Sequence, residues 1–527
     1  MQKFQKKDIY ILFFLLTTIL LYFFYSFKNY DLGPADDDVY LKTALLLKLP
    51  YEQFDNLLYP LLMRVFGFFS ANNINLIYNF YFFISGLVFL AFFYYLRYSK
   101  LNFAISYLLS TAFLFSNFQI GLSPRLTLLN LIFGFVFLSI ISTKSERYIK
   151  WGFMTVCLLL CNYVSVPEFL IFFLLSFAIF LYKTLSNKSL TVSGKIKPIG
   201  IVLGILGILF YFGGGIENQS VFVREYKYHF LDNWELWTGE HYDFQDELNV
   251  FDRVYGKSNS LYEFVTVNPK LFLKHILYNL GKYIITVLGI FKSCFYQPFV
   301  SFFGHYTKYV FGVFVLFIVF TIDLKATFSS LKNQLNIHKV NIAFLEIFSL
   351  PGLVIAILVY PRNHFTILDL PIYFLIVGLL IQSIVLKTNK VWNWTRWILL
   401  VGFIGGIFLQ KPIFNDAGHV ASYKYIQSAS LKKDLSILSN DFFGYNYYSG
   451  HTTIQNYDPN NDDLVKLLAT QKYDILTLYS QDLEVPKNRA FVAKNYLQTD
   501  YVRVRKFEGV KRYIFVKKEL EHLFSEN

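Results

Sequence analysis

Residues 74–96, INLIYNFYFFISGLVFLAFFYYL, run for 23 positions without one Asp, Glu, Lys or Arg. An α-helix rises 1.5 Å per residue, so this run reaches about 34 Å, slightly more than a bilayer's hydrocarbon core. Similar runs lie at 9–27, 101–120, 126–142, 198–216, 341–360 and 365–386. Shorter or interrupted ones lie at 151–166, 167–182, 307–322 and 394–410. Together they predict an all-α polytopic membrane protein with about eleven transmembrane helices. Composition agrees. Of 527 residues, 55% are hydrophobic and only 16% charged, against about a quarter charged in soluble chains. A soluble enzyme and a disordered chain are both excluded. Cys157, Cys161 and Cys294 are too few for a disulfide framework.

The first run follows Lys3, Lys6 and Lys7 and has no small-residue cleavage site after it, so it reads as a retained anchor. Lys and Arg then recur in alternate short loops: Arg97 and Lys100; Lys144, Arg147 and Lys150; Lys183, Lys188, Lys195 and Lys197. The positive-inside rule puts these loops and the N-terminus in the cytoplasm of a multi-pass cell membrane. The net charge of +13 is thus mostly topological, and nucleic acid is not an expected partner. Residues 275–291, HILYNLGKYIITVLGIF, fit either a further span or an amphipathic helix along the outer interface. The second choice keeps Lys325, Lys332, Lys339, Lys387, Lys390 and Arg396 cytoplasmic, and is adopted. The expected membrane domain is 1–410, with a first outer loop at 28–73 and a long outer loop at 218–306.

From 411 to 527 the composition changes, and an extracytoplasmic α/β domain is expected. LSILSN (435–440) and YDILTLY (473–479) read as buried strands, and DDLVKLLATQ (462–471) as a helix. VRVRKF and VKRYIFV read as a hairpin about a two-residue Glu508-Gly509 turn.

The stretch GPADDDVYLKTALLL (33–47) follows the first span directly. Asp36, Asp37 and Asp38 near a helix start can cap free N–H groups and meet the helix dipole. Crowded carboxylates also raise one another's pKa, which suits a general base at neutral pH. DDDVYLKTALLL resembles the Asp-Glu-x-x-Tyr-x-x-x-Ala pattern in the first outer loop of GT-C glycosyltransferases, closest in style to the protein O-mannosyltransferase and lipid A aminoarabinose transferase group. Aligning Tyr40 and Ala44 with that pattern puts Asp36 at the family's catalytic acid and Asp37 in place of its Glu. LLYPLLMRVFGFF (57–69) resembles the family's interfacial segment but lacks its His-Pro-Pro form.

Two further stretches resemble the family in part. Arg125 in GLSPRLTLLNL (121–131) stands where the family has Arg and an aromatic, but Leu126 follows it. Arg362 and His364 in YPRNHFTILDLP (360–371) stand in an Arg-Tyr-x-x-x-x-x-Pro stretch. Arg grips phosphate through two parallel hydrogen bonds, whereas a span-end cation can also simply snorkel. Glu168, in VSVPEFL, is either an interfacial charge or a polar group near the site. The resemblance implies a polyprenyl-phosphate-linked sugar donor, a glycan, lipid or protein acceptor, transfer with inversion, and Asp as general base. No cofactor is expected, and no metal, since the second outer loop GLSPR has no carboxylate. The alternatives are a polysaccharide repeat-unit polymerase and a lipid-linked sugar transporter. A transporter should show paired charges in mid-membrane, and Asp369 and Lys282 are the residues to examine for that.

Overall fold

In the computed structural model, the apolar runs become helices whose ends are set by ordinary capping chemistry. The structure describes residues 6–27, 41, 44–45, 58–116, 126–141, 146–162, 169–213, 219–240, 247–258, 260–361, 366–385, 401–407, 409, 419–430, 435–439, 454–457, 464–470, 473–479, 483, 500–507 and 511–524. These residues are mostly helical, with a small sheet near the C-terminus. They fall in two compact units. The first takes Met1–Tyr22, Leu49–Leu58 and Ile84–Pro412; the second takes Phe23–Lys48, Tyr59–Phe83 and Ile413–Asn527.

The helices run α1 (Lys6–Phe27), α2 (Leu58–Gly67), α3 (Asn73–Tyr98), α4 (Phe103–Leu114), α5 (Leu126–Ile141), α6 (Arg147–Asn162), α7 (Phe169–Leu185) and α8 (Val192–Gly213). Next come α9 (Gln219–Thr238), α10 (Glu247–Tyr255), α11 (Leu261–Val267), α12 (Pro269–Phe291), α13 (Gln297–Phe303), α14 (Thr307–Thr321), α15 (Leu324–Leu358) and α16 (Leu370–Ser383). By length and composition, Asn73–Tyr98 and Pro269–Val313 could cross a membrane.

The 219–291 region is helical, with a core of its own. Tyr226, Phe230, Phe251, Tyr255 and Phe264 are fully buried and pack ring against ring. Its abundant aromatics therefore fill an interior. Ser260 opens α11 by accepting from the Glu263 N–H at 3.3 Å. Asn268 opens α12 by accepting from the Leu271 N–H at 3.2 Å, with Pro269 in the first turn, where no N–H is needed.

Helix α12 covers 275–291, the segment expected to lie along the outer interface. Here His275, Asn279 and Tyr283 are buried, whereas Leu277, Leu280, Ile284, Ile285 and Leu288 are exposed. A polar face packed on protein and an apolar face turned outward is the arrangement expected against lipid. The segment also continues past a π-turn at Lys292–Tyr296, within one 45-residue apolar helical stretch, Pro269–Val313. Gly304, at φ 57° and ψ −130°, ends α13, and a short 3-10 turn separates it from the 307–322 run.

At the opposite end of α15, Asp323 caps the helix by accepting from the Ala326 N–H at 3.0 Å. Backbone and side chain lock that end to the tail of α16: the Asp323 N–H donates to the Val385 carbonyl, and the Val385 N–H donates to Thr327 Oγ1.

The tail contains α17 (His419–Ser430), β1 (Ile437–Ser439), β2 (Ile454–Asn456), α18 (Leu464–Thr470), β3 (Ile475–Tyr479), β4 (Tyr501–Phe507) and β5 (Arg512–Lys517). The sheet order is β2-β1-β3-β5-β4. β1 pairs parallel with β2 and β3, while β5 pairs antiparallel with β3 and β4. Leu438, Leu476, Leu478 and Phe515 form its core with Leu464 of α18. Strand β2 was not anticipated, because Ile454-Gln455-Asn456 carries no apolar run of its own. The two-residue turn is corrected. Phe507 pairs with Arg512, so four residues connect the strands, and Lys511 takes φ 49°. A bulge between Arg503 and Arg505 shifts the register that a regular alternation would give.

Candidate functional site

Asp36, Asp37, Asp38, Tyr40, Arg125, Glu168, Arg362 and His364 all lie outside the described residues. The chain on either side of Arg362–Phe365 is described, and it belongs to the densest polar network of the first unit.

That network is built on α12. Residues 275, 279, 282–283 and 286 recur at three- and four-residue spacing, so they share one helical face. This face meets the C-terminal end of α15. The last carbonyls of a helix have no intrahelical donor. Here α12 supplies donors across the helix pair. His275 Nε2 lies 3.1 Å from the Leu358 carbonyl oxygen. Asn279 Nδ2 donates to the Ile357 and Val359 carbonyls at 3.0 and 3.1 Å. Thr286 Oγ1 donates to the Lys282 carbonyl of its own helix at 2.9 Å and lies 3.4 Å from the Pro361 carbonyl oxygen. His275 and Asn279 therefore hold the backbone that leads into Arg362.

His275 Nε2 lies 3.1 Å from the Leu358 carbonyl oxygen and 2.9 Å from Asn279 Nδ2, and its Nδ1 lies 3.1 Å from Asn233 Nδ2; in the tautomer protonated at Nε2, Asn233 donates to Nδ1. The same Asn233 nitrogen donates to Asn279 Oδ1 at 2.9 Å. Asn233 must then turn its Oδ1 towards Lys282, whose Nζ donates to it at 3.1 Å. Lys282 Nζ also donates to the Tyr360 hydroxyl at 2.9 Å. The ammonium lies 4.5 Å from the centroids of both the Tyr278 and Tyr360 rings. His229 stacks on Tyr360, with centroids 5.2 Å apart, and its Nδ1 lies 2.9 Å from Asp232 Oδ2.

A second group follows on the other side of the 362–365 segment. Tyr283 OH donates to buried Asp369 at 2.8 Å and lies 2.6 Å from Tyr373 OH. Asp369 and Lys282 therefore have separate partners and do not form an ion pair with each other. In the neighbouring helical region, Glu240 is hydrogen-bonded by Arg253 and by Trp234 Nε1, and these bonds, Arg253 foremost, hold its carboxyl below its ordinary pKa.

Sequence reasoning singled out Lys282 and Asp369 but missed Asn233, His275, Asn279 and Tyr360. A signal was available: four polar residues on one face of an otherwise apolar helix. Asn233, 42 residues before His275, gave no such signal.

No protein-family model and no curated protein sequence matches the chain. Among solved structures, the crystal structure of ArnT from Cupriavidus metallidurans in the apo state aligns with 97% of this chain and 98% of that chain. Sequence identity is 10% and the TM-score 0.41. A likeness that loose carries no argument about fold or chemistry.

Proposed function

We propose that the chain is a GT-C-type membrane glycosyltransferase with about eleven spans, a cytoplasmic N-terminus and an extracytoplasmic tail. It takes a sugar from a polyprenyl-phosphate donor and transfers it to an acceptor on the outer face. The observation that carries this reading is DDDVYLKTALLL, placed directly after the first apolar span. The network supports it in one respect: α12 holds the backbone before the segment that carries Arg362 and His364, and the Asp369 side chain after it.

In this reading, an acceptor oxygen attacks the anomeric carbon opposite the phosphate. The bond from that carbon to the phosphate oxygen breaks, and the configuration inverts. Asp36 takes the acceptor's proton as general base. Asp37 or Asp38 orients it, and Tyr40 and Glu168 stand by as further site residues. Arg362, His364 and Arg125 offset the charge left on the phosphate. The separate partners of Lys282 and Asp369 weigh against a transporter, which would be expected to pair charges in its interior.

The test uses the full chain in nanodiscs with a panel of radiolabelled polyprenyl-phosphate sugars. One donor should be consumed, and one Asp→Asn change among Asp36, Asp37 and Asp38 should abolish turnover while donor binding persists. If no donor binds, or all three variants match wild type, the triplet is a helix cap and the transferase reading fails.

A further inference from the structure

An ammonium carries three N–H donors, and Lys282 uses two of them, on Asn233 Oδ1 and the Tyr360 hydroxyl. Both acceptors are neutral. Among the described residues, no carboxylate pairs with Lys282. The nearby acids have other partners: Asp232 faces His229, and Asp369 accepts from Tyr283. The Tyr360 hydroxyl accepts from Lys282, so its own proton is free to donate, and no acceptor for it occurs among the described residues. The Lys282 nitrogen, beside the Tyr278 ring, and the Tyr360 hydroxyl thus stand 2.9 Å apart, the first carrying a full positive charge.

The surroundings hold both donors in place. Asn233 cannot flip its amide without losing His275 and Asn279. Tyr360 stacks on the His229 ring and accepts from the ammonium. Lys282 is half-buried, and a charge partly withdrawn from water is stabilised by an anion beside it. A lysine serving only to snorkel would extend towards water and would need no such partners. Ordered donors with no counter-charge are what an anion's oxygens require. Tyr360 is two residues before Arg362, so their Cα atoms are no more than about 7 Å apart by chain geometry.

We infer that Lys282 and Tyr360 form a two-donor seat for a phosphate group carried on a lipid, set beside the Arg362 segment. The inference rests on the transferase reading and deepens it, because it adds an ammonium and a phenol to the groups that hold the donor's phosphate. The rest of the network has a positioning role: Asn233 aims Lys282, and His275 and Asn279 hold the end of α15 from which Tyr360 extends.

The test uses the full chain in phosphatidylcholine nanodiscs and measures binding of polyprenyl monophosphate and of the matching polyprenol. Lys282→Gln should weaken monophosphate binding about tenfold or more, the size expected for a charge-assisted hydrogen bond. Tyr360→Phe, which keeps both ring contacts, should weaken it about three- to tenfold. Lys282→Arg should retain most of the binding, and polyprenol binding should not change in any variant. Monophosphate binding by Lys282→Gln equal to wild type overturns the seat, and so does an equal loss for phosphate and alcohol. Inorganic phosphate or phosphatidylglycerol competing as strongly as polyprenyl monophosphate overturns the lipid-carrier assignment.

A measurement on the unmutated protein guards against misfolded variants. Polyprenyl monophosphate, but not polyprenol, should slow acylation of the Lys282 amine as read by peptide mass spectrometry. Equal labelling with and without it overturns the inference. Sugar turnover with a monophosphate affinity unaffected by Lys282→Gln sinks the seat and leaves the transferase. Lys282-dependent phosphate binding without consumption of any donor does the reverse.

Discussion

Replacing Asn279 by leucine tests the grip of α12 on the end of α15. Leucine nearly matches asparagine in size, so little cavity is left and the change is mainly polar. Three groups lose their partner: the carbonyls of Ile357 and Val359, and the amide nitrogen of Asn233. A polar group left buried and unpaired costs about 1–3 kcal/mol. Three at the lower bound give about 3 kcal/mol of local destabilisation, or about a hundredfold in the opening equilibrium. The cost falls on the last turn of α15, where the Val359 N–H is protected by its 2.8 Å bond to the Ile355 carbonyl. Hydrogen exchange on the full chain in nanodiscs, read on peptides covering 355–361, should therefore speed up about a hundredfold. Amides of the first turns of α15, capped separately by Asp323, should keep their wild-type rates. Exchange at 355–361 within about threefold of wild type would refute the capping account. A uniform acceleration along all of α15 would refute it as well, by showing that the helix opens as one unit.

Asp36→Asn should lower turnover by about two to four orders of magnitude while donor affinity stays near wild type, the pattern of a lost general base; single-turnover kinetics separates the two. In the helical stretch 401–407, a Cβ on Gly406 would run into the Pro298 backbone carbonyl, while one on Gly204 of α8 would meet nothing within 4 Å. Gly406→Ala should therefore cost about 1–3 kcal/mol in detergent thermal stability, and Gly204→Ala should be neutral or slightly stabilising; equal behaviour of the two would contradict that close approach. In the tail, burial pushes the Asp474 carboxyl up, but hydrogen bonds from Ser436 and Lys517 outweigh it and hold the pKa below the usual range. A carboxyl with a depressed folded-state pKa stabilises fully above its unfolded value of about 3.9 and loses that contribution as pH falls through the folded value. Acid titration followed by exchange in β1 and β3 should show loss of protection below about pH 4, and Asp474→Asn should flatten that part of the profile.

Much of the helical layout was legible because hydrophobic runs report burial locally. A long apolar stretch has to form a helix wherever the backbone cannot find water, so α3, α5, α7 and α16 lie where the runs lie. The strands β1 and β3 and the hairpin were legible for a similar reason, since alternation and short apolar runs are local signals. Strand β2 was not, because three residues of a parallel edge are held by a neighbour distant in sequence. The hairpin's connection was misjudged because pairing stops at Phe507 and Arg512, next to a left-handed Lys511, and neither leaves a composition signal.

Residue chemistry marked the Asp36–Asp38 triplet as a candidate, and the family resemblance added Arg125, Arg362 and His364. Neither could choose between the two faces of α12, because amphipathicity gives two faces without saying which one meets protein. Only tertiary packing decided that. The open carbonyls at the end of α15 needed donors, and the polar face of α12 carries them. Packing also aligned Asn233, Lys282 and Tyr360, which come from three separate stretches of chain. Hydrogen-bond direction is a property of the assembled network, and it is this direction that sets the Lys282 ammonium against the Tyr360 hydroxyl oxygen.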